Sequence, residues 1–160
     1  MNEGRLLDAI GWRILDELQR DARISYSELG RRVGLSTPAA AERVRRLEEA
    51  GIITGYHARV NPAAVGYPVS AFVRITVSSD ERMAQRLAAA ASEIPTVREC
   101  HRVTGDCAFL LRADVASVAD LEGLIDRLTS FGMTSTAIVL SSPLDGRALV
   151  PPPVPGSPRR

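Results

Sequence analysis

Residues 23–56 read RISYSELGRRVGLSTPAAAERVRRLEEAGIITGY. Ser25-Tyr26-Ser27-Glu28 has the S-x-x-E form of a capping box, which predicts a helix opening at Ser25. Gly34, best able to take a left-handed backbone after a helix end, stops that helix after Val33. Ser36 or Thr37 caps a further helix. Pro38 suits its first turn, where a missing amide proton has no partner to lose. Ala40, Ala41, Val44 and Leu47 make its buried side, and Gly51 ends it. Ile52–Thr54 and Tyr56–Val60 then read as short strands about Gly55, a wing. Two short helices about a glycine turn, the second with an Arg-bearing free face, form a helix-turn-helix suited to the major groove of DNA.

Upstream, Leu7, Ile10, Ile14, Leu15 and Leu18 recur at three- and four-residue spacings, predicting an amphipathic helix over 6–20 with Trp12 covering its edge. Downstream, residues 61–68 carry Asn61-Pro62 and Gly66-Tyr67-Pro68, a turn-rich linker. The remainder alternates as strand 70–77, helix 81–94, strands 97–104 and 107–113 about a Gly105-Asp106 turn, helix 117–130 and strand 136–140. This β-α-β-β-α-β order is ferredoxin-like. The expected fold is thus α+β: a winged helix-turn-helix over 1–60, the linker, a ferredoxin-like domain over 69–150, and an extended Pro-rich tail over 151–160. Helices cover one sheet face only, so the other face invites self-association.

At 160 residues the chain can bury a real core in one large or two small domains. Its 45% hydrophobic and 4% aromatic content describes a globular protein, and no apolar run approaches a membrane span. No secretory signal pattern stands at the N-terminus, so a cytoplasmic location without membrane partners is expected. Cys100 and Cys107 are too few for a disulfide framework and lack metal-site partners, which also suits a reducing compartment.

The net charge of +1 hides a local concentration. Arg31, Arg32, Arg43, Arg45 and Arg46 lie between Gly30 and Leu47, with Glu42 the lone acid among them. From residue 61 onward the charges balance. On this second helix of the motif, the residues Thr37, Ala39, Glu42, Arg43 and Arg46 point away from the Val44/Leu47 seam. Free amides at Ser36 and Thr37 offer a phosphate seat. Arg43 and Arg46 can reach guanine or phosphate, and Arg31 and Arg32 suit phosphate. The competing reading is a solvated face of helical ion pairs such as Glu42–Arg45 and Glu42–Arg46. The agreement of caps, turn and spacing favours double-stranded DNA, read by a dimer at an inverted repeat.

ISYSELGRRVGLS, AAAERVRRLEEAGIITGY, Asn61-Pro62 and CHRVTGDCAFLLR together resemble the Lrp/AsnC (feast/famine) transcription regulators over about residues 7–142. The resemblance implies a winged helix-turn-helix followed by a ferredoxin-like (RAM/ACT-like) effector and assembly domain. It also implies dimers that assemble into tetramers or octamers, and a small-molecule effector, an amino acid among the candidates. Thr104-Gly105-Asp106 matches the family's small-molecule loop, where Gly allows close approach and Asp can hold an ammonium. Plain turn chemistry explains the same residues without a ligand. Members often carry an aromatic and an Asp after Gly-Asp, whereas this chain has Cys107 and Ala108. Ser135 and Thr136, before the last strand, can add hydroxyls to the same pocket in an assembled oligomer.

No catalytic set, metal or cofactor is called for. His101 neighbours Cys100 on a strand, so their side chains point to opposite faces. Across the expected turn Cys100 stands opposite Leu111 rather than Cys107. One enzyme reading stands as the alternative: the sirohaem decarboxylases share the two-domain resemblance, but they would leave the Arg-rich helix without a purpose.

Overall fold

Polar caps set the helix ends. The computed structural model describes residues 6–77 and 81–153. The chain divides into two units: one runs to Ala58 and resumes at Leu144, the other spans Arg59–Pro143.

In the helical unit, Asp8 caps α1 (Ala9–Arg20) by accepting the Gly11 amide at 2.8 Å, so this helix starts three residues after Leu6. Ser25 caps α2 (Tyr26–Val33), and Gly34 at φ +78° ends it with its amide on the Gly30 carbonyl. Ser36 rather than Thr37 caps α3 (Thr37–Glu49), accepting the Ala39 amide. Ile14, Leu29, Val33, Val44 and Leu47 form the buried core. Gly30 lets the turn pass closely, since a Cβ there would lie 2.6 Å from the Leu35 carbonyl oxygen.

One expectation for this unit is corrected. The residues read as a wing, 52–60, form no strand. The Ile52 and Ile53 amides both donate to the Leu47 carbonyl, closing α3, and their side chains pack on the helical core. Both residues are therefore spent on capping and packing, and Tyr56 is tied back by its hydroxyl on Glu48 Oε1 at 2.8 Å. By its contacts, Leu144 onward groups with the helical unit. There the Gln19 side-chain amide accepts from the Leu149 amide at 2.8 Å and donates to the Leu149 carbonyl at 3.1 Å. Of the expected Pro-rich tail, 154–160 lie outside the described residues.

The second unit runs β1 (Val69–Thr76), α4 (Glu81–Ser92), β2 (Val97–Arg102), β3 (Phe109–Val115), α5 (Val118–Thr129) and β4 (Met133–Ile138). All neighbours pair antiparallel in the order β2-β3-β1-β4, the ferredoxin-like order. Ala71, Val73, Ile75, Phe109, Leu111 and Ala113 face Ala84, Leu87, Ala91, Leu121, Leu124 and Leu128 in one core. Val118, at the start of α5, is 63% exposed. β4 starts at Met133, not Thr136. Gly132 brings the chain within 2.2 Å, for a notional Cβ, of the Thr76 carbonyl oxygen, so pairing begins at once with Met133 opposite Thr76. The expected two-residue turn is longer, spanning 103–108. Val103 still bonds the Ala108 carbonyl, but the Ala108 amide turns to β1 and the Ile75 carbonyl at 2.9 Å, so the residues between bow outward.

The uncovered sheet face presents Phe72, Arg74, Leu110, Arg112, Glu99 and His101, by register on the side opposite the core. Asp114, buried on that face, accepts from Ser70 Oγ at 2.5 Å. No helix among the described residues is long and apolar enough to cross a membrane.

Two glycine substitutions contrast a close approach with open space. Gly30→Ala forces the α2–α3 turn apart and is expected to cost about 1–3 kcal/mol. Gly123→Ala, in the middle of α5 with open space around it, is expected to gain about 0.5–1 kcal/mol from helix propensity. Thermal melts of the two variants should move in opposite directions.

Candidate functional site

Ala40, Val44 and Leu47 must point into the core, and this fixes the rotation of α3. Thr37, Ala39, Arg45 and Arg46 are left on its exposed side with Glu42 between them. Ser36, Thr37 and Ala39 gather at the helix start, where the Ser36 hydroxyl already holds the Ala39 amide. Arg31 and Arg32 stand on the outer side of α2.

Each of these arginines has a carboxylate. Glu42 accepts from Arg45 Nε at 2.9 Å, Arg45 Nη2 at 2.8 Å and Arg46 Nε at 2.8 Å. Arg45 also pairs with Glu49. Glu28 accepts from Arg31 Nε at 2.7 Å, Arg31 Nη2 at 2.6 Å and Arg32 Nε at 2.7 Å. Arg32 reaches Glu17 on α1 as well, at 2.7 Å. Hydrogen bonds from Arg31 and then Arg32 hold the Glu28 carboxyl down to about 2. Arg45 and then Arg46 hold Glu42 at about 2 likewise. The helical ion pairs weighed against DNA binding thus exist, on the same face that would meet DNA.

Arg43 does not join that face. Its guanidinium lies 2.6 Å from Asp8 Oδ1 and donates to the Leu6 carbonyl, and its side chain is 23% exposed against 58% for Arg46. Arg43 therefore staples α3 to the cap of α1, and Asp8 is held below the usual carboxylate range by the Gly11 amide and then by Arg43. Arg45, absent from the outward set expected on sequence, takes its place outward. Its spacing from Glu42 could have shown this.

In the second unit a hollow of about 420 Å³ is lined by Arg74, Thr76, Asp106, Cys107, Met133, Thr134 and Ser135. It brings together three residues singled out on sequence: Asp106, Cys107 and Ser135. Thr76 Oγ1 donates to the Asp106 carbonyl at 3.0 Å, fixing the turn against β1. Thr104 and Gly105 belong to the same turn, with Gly105 at φ +109°, but do not line the hollow. Ala108 packs against the hydrophobic core, so the missing Asp at 108 subtracts no carboxylate from the hollow. Thr136 pairs with Val73 and shares its helix-facing side, away from Ser135. Arg74, Thr76, Met133 and Thr134 went unforeseen. Strand alternation alone would have put Arg74 outward.

Cys100 pairs with Leu111 and His101 with Leu110, on opposite faces of β2. His101 Nε2 lies 3.1 Å from Glu99, and burial pushes the Cys100 thiol up. Neither is an activated nucleophile.

A model of the AsnC-type helix-turn-helix domain matches residues 7–48, and one of the Lrp/AsnC ligand binding domain matches 70–149. The HTH-type transcriptional regulator LrpA of Mycobacterium tuberculosis is 40% identical over 153 residues, covering 94% of this chain and all of that protein. A feast or famine regulatory protein of M. tuberculosis complexed with L-methionine superposes with a TM-score of 0.84 at 39% identity, covering 91% of this chain and 99% of that one. A transcriptional regulator of Neisseria meningitidis in complex with L-Met gives 0.84 at 28% identity, covering 89% and 96%. These relatives are regulators rather than enzymes.

The two roles assigned on α3 separate by stability. Asp8→Ala removes a helix cap and is expected to cost about 1 kcal/mol. Arg43→Ala should lower the melting temperature in the same direction, and less so once Asp8 is already Ala. Arg46→Ala should leave the melt unchanged. The Asp8 contribution is present above its unfolded pKa and lost as pH falls through the lower folded value, so the Asp8→Ala deficit should fade in strongly acidic buffer.

Proposed function

The chain belongs to the Lrp/AsnC family of transcriptional regulators, and on that premise we propose that it reads an operator in double-stranded DNA through α3 and answers to an amino acid bound beside the 103–108 turn. The observation that carries the DNA half is the fixed rotation of α3, which leaves Arg45 and Arg46 outward while Arg43 is spent on Asp8. Arg46 reaches a base edge or phosphate, the Ser36–Ala39 helix start seats a phosphate, and Arg31 and Arg32 position the protein on the backbone. A small module binds weakly alone, so a dimer presenting two copies of α3 to an inverted repeat suits the site, its half-sites about 34 Å apart or a multiple of that.

For the effector, Arg74 and Asp106 supply opposite charges in one hollow. A zwitterion satisfies both, its carboxylate on Arg74 and its ammonium on Asp106. Cys107 and Met133 give the ligand's side chain a soft, weakly polar wall. The L-methionine complexes of two relatives support this class. The uncovered sheet face, with Phe72 39% exposed at its centre, supports assembly into dimers and then tetramers or octamers. Such a regulator acts in the cytoplasm.

Fluorescence anisotropy on duplexes selected from genomic fragments tests the DNA half. Arg46→Ala should weaken operator binding about tenfold or more, and a phosphate role should also flatten the salt slope by about 1. Parent-like affinity would refute the assignment of α3. For the effector half, Arg74→Ala and Asp106→Asn should each reduce L-methionine binding at least about tenfold by calorimetry. Operator affinity without amino acid should stay at the parent value. Undiminished methionine binding by both variants would remove the zwitterion reading.

A further inference from the structure

The two helices of the DNA-binding motif carry the same five-residue pattern. Glu28-Leu29-Gly30-Arg31-Arg32 and Glu42-Arg43-Val44-Arg45-Arg46 both read E-x-x-R-R. The spacing puts the carboxylate one turn before two guanidiniums, at i+3 and i+4. The structure closes both patterns alike. In each, the first Arg grips the Glu through Nε and Nη2 and the second shares an oxygen of the same carboxylate through Nε. Two carboxylates thus hold four arginines.

We propose that Glu28 and Glu42 are specificity-determining residues: each is an internal stand-in for a DNA phosphate that any duplex must displace before it gains those arginines. The inference rests on the DNA reading above and adds what it leaves open, namely how an Arg-rich face avoids binding every duplex equally. A carboxylate takes the guanidinium fork in the geometry a phosphate would use. Non-specific binding is almost wholly phosphate contact, so losing four arginines to internal partners penalises it most. Operator binding adds base contacts that the carboxylates do not oppose, so it suffers less. The depressed Glu28 and Glu42 carboxyls agree with this, since both stay charged and paired throughout the neutral range. Surface pairs of this kind are individually weak, and a carboxylate beside the backbone also repels phosphate, so the combined effect is several-fold rather than total.

Glu28→Gln, Glu42→Gln and the double variant of the full chain test this against the selected operator and a random duplex of equal length, at several salt concentrations. Each substitution should tighten random-duplex binding by about three- to tenfold and steepen its salt dependence. Operator affinity should rise less, so the ratio between the two falls. The gain from Glu42→Gln should vanish in an Arg45→Ala, Arg46→Ala background, which a merely structural role would not produce. Unchanged or weaker random-duplex binding by both single variants overturns the proposal while leaving the DNA reading intact. A parent chain with no preference for the operator overturns that reading and the proposal with it.

Discussion

Burial of Val44 and Leu47 sets the rotation of α3, and the helical unit's chemistry follows from that angle. Both side chains are fully enclosed by Ile14, Leu29 and Val33. Turning α3 by one residue would expose one of them and bury an arginine, a far greater loss than any surface ion pair returns. With the angle fixed, position alone sorts four neighbouring residues: Glu42, Arg45 and Arg46 face out, and Arg43 falls on the flank beside Asp8. The cap of α1 and the reading helix are therefore joined through one guanidinium.

The electrostatics follow the same geometry. A basic cluster in a nearly neutral chain would ordinarily attract any polyanion. Here every arginine of the cluster meets a carboxylate, on its own helix, on α1 or at the cap of α1. The bare positive charge legible in the sequence is thus muted in the folded unit. DNA binding becomes an exchange of ionic partners in place of a simple attraction.

Much of this was legible in the sequence, and the exceptions have physical causes. The cap at Ser25, a cap at Ser36 or Thr37, the Gly34 stop and the β-α-β-β-α-β order were readable because each rests on local chemistry or a clean period. The wing was misread because Ile52 and Ile53 are good strand residues whose amides are claimed by the Leu47 carbonyl, a choice made by helix closure and not by propensity. The last strand is read from Thr136, yet β1 also recruits Met133–Ser135 once Gly132 lets the backbones meet. The return of Leu149 to Gln19 spans most of the chain, and no local pattern announces such a contact. At the hollow of the second unit, Asp106 and Cys107 are reached through the resemblance, and Ser135 only as a candidate hydroxyl donor. Arg74 was missed because its role appears only when β1, β4 and the 103–108 turn are brought together.

The central claim is that the outward face of α3, turned by its buried seam, meets the DNA. Nuclear magnetic resonance of the arginine Nε–Hε groups of the full chain, followed as the operator duplex is added, examines it directly. The account predicts that Arg45 and Arg46 move strongly as they leave Glu42, that Arg31 and Arg32 move with them, and that Arg43 stays with Asp8. Large shifts at Arg43 or on the second unit, with Arg45 and Arg46 unmoved, would contradict it.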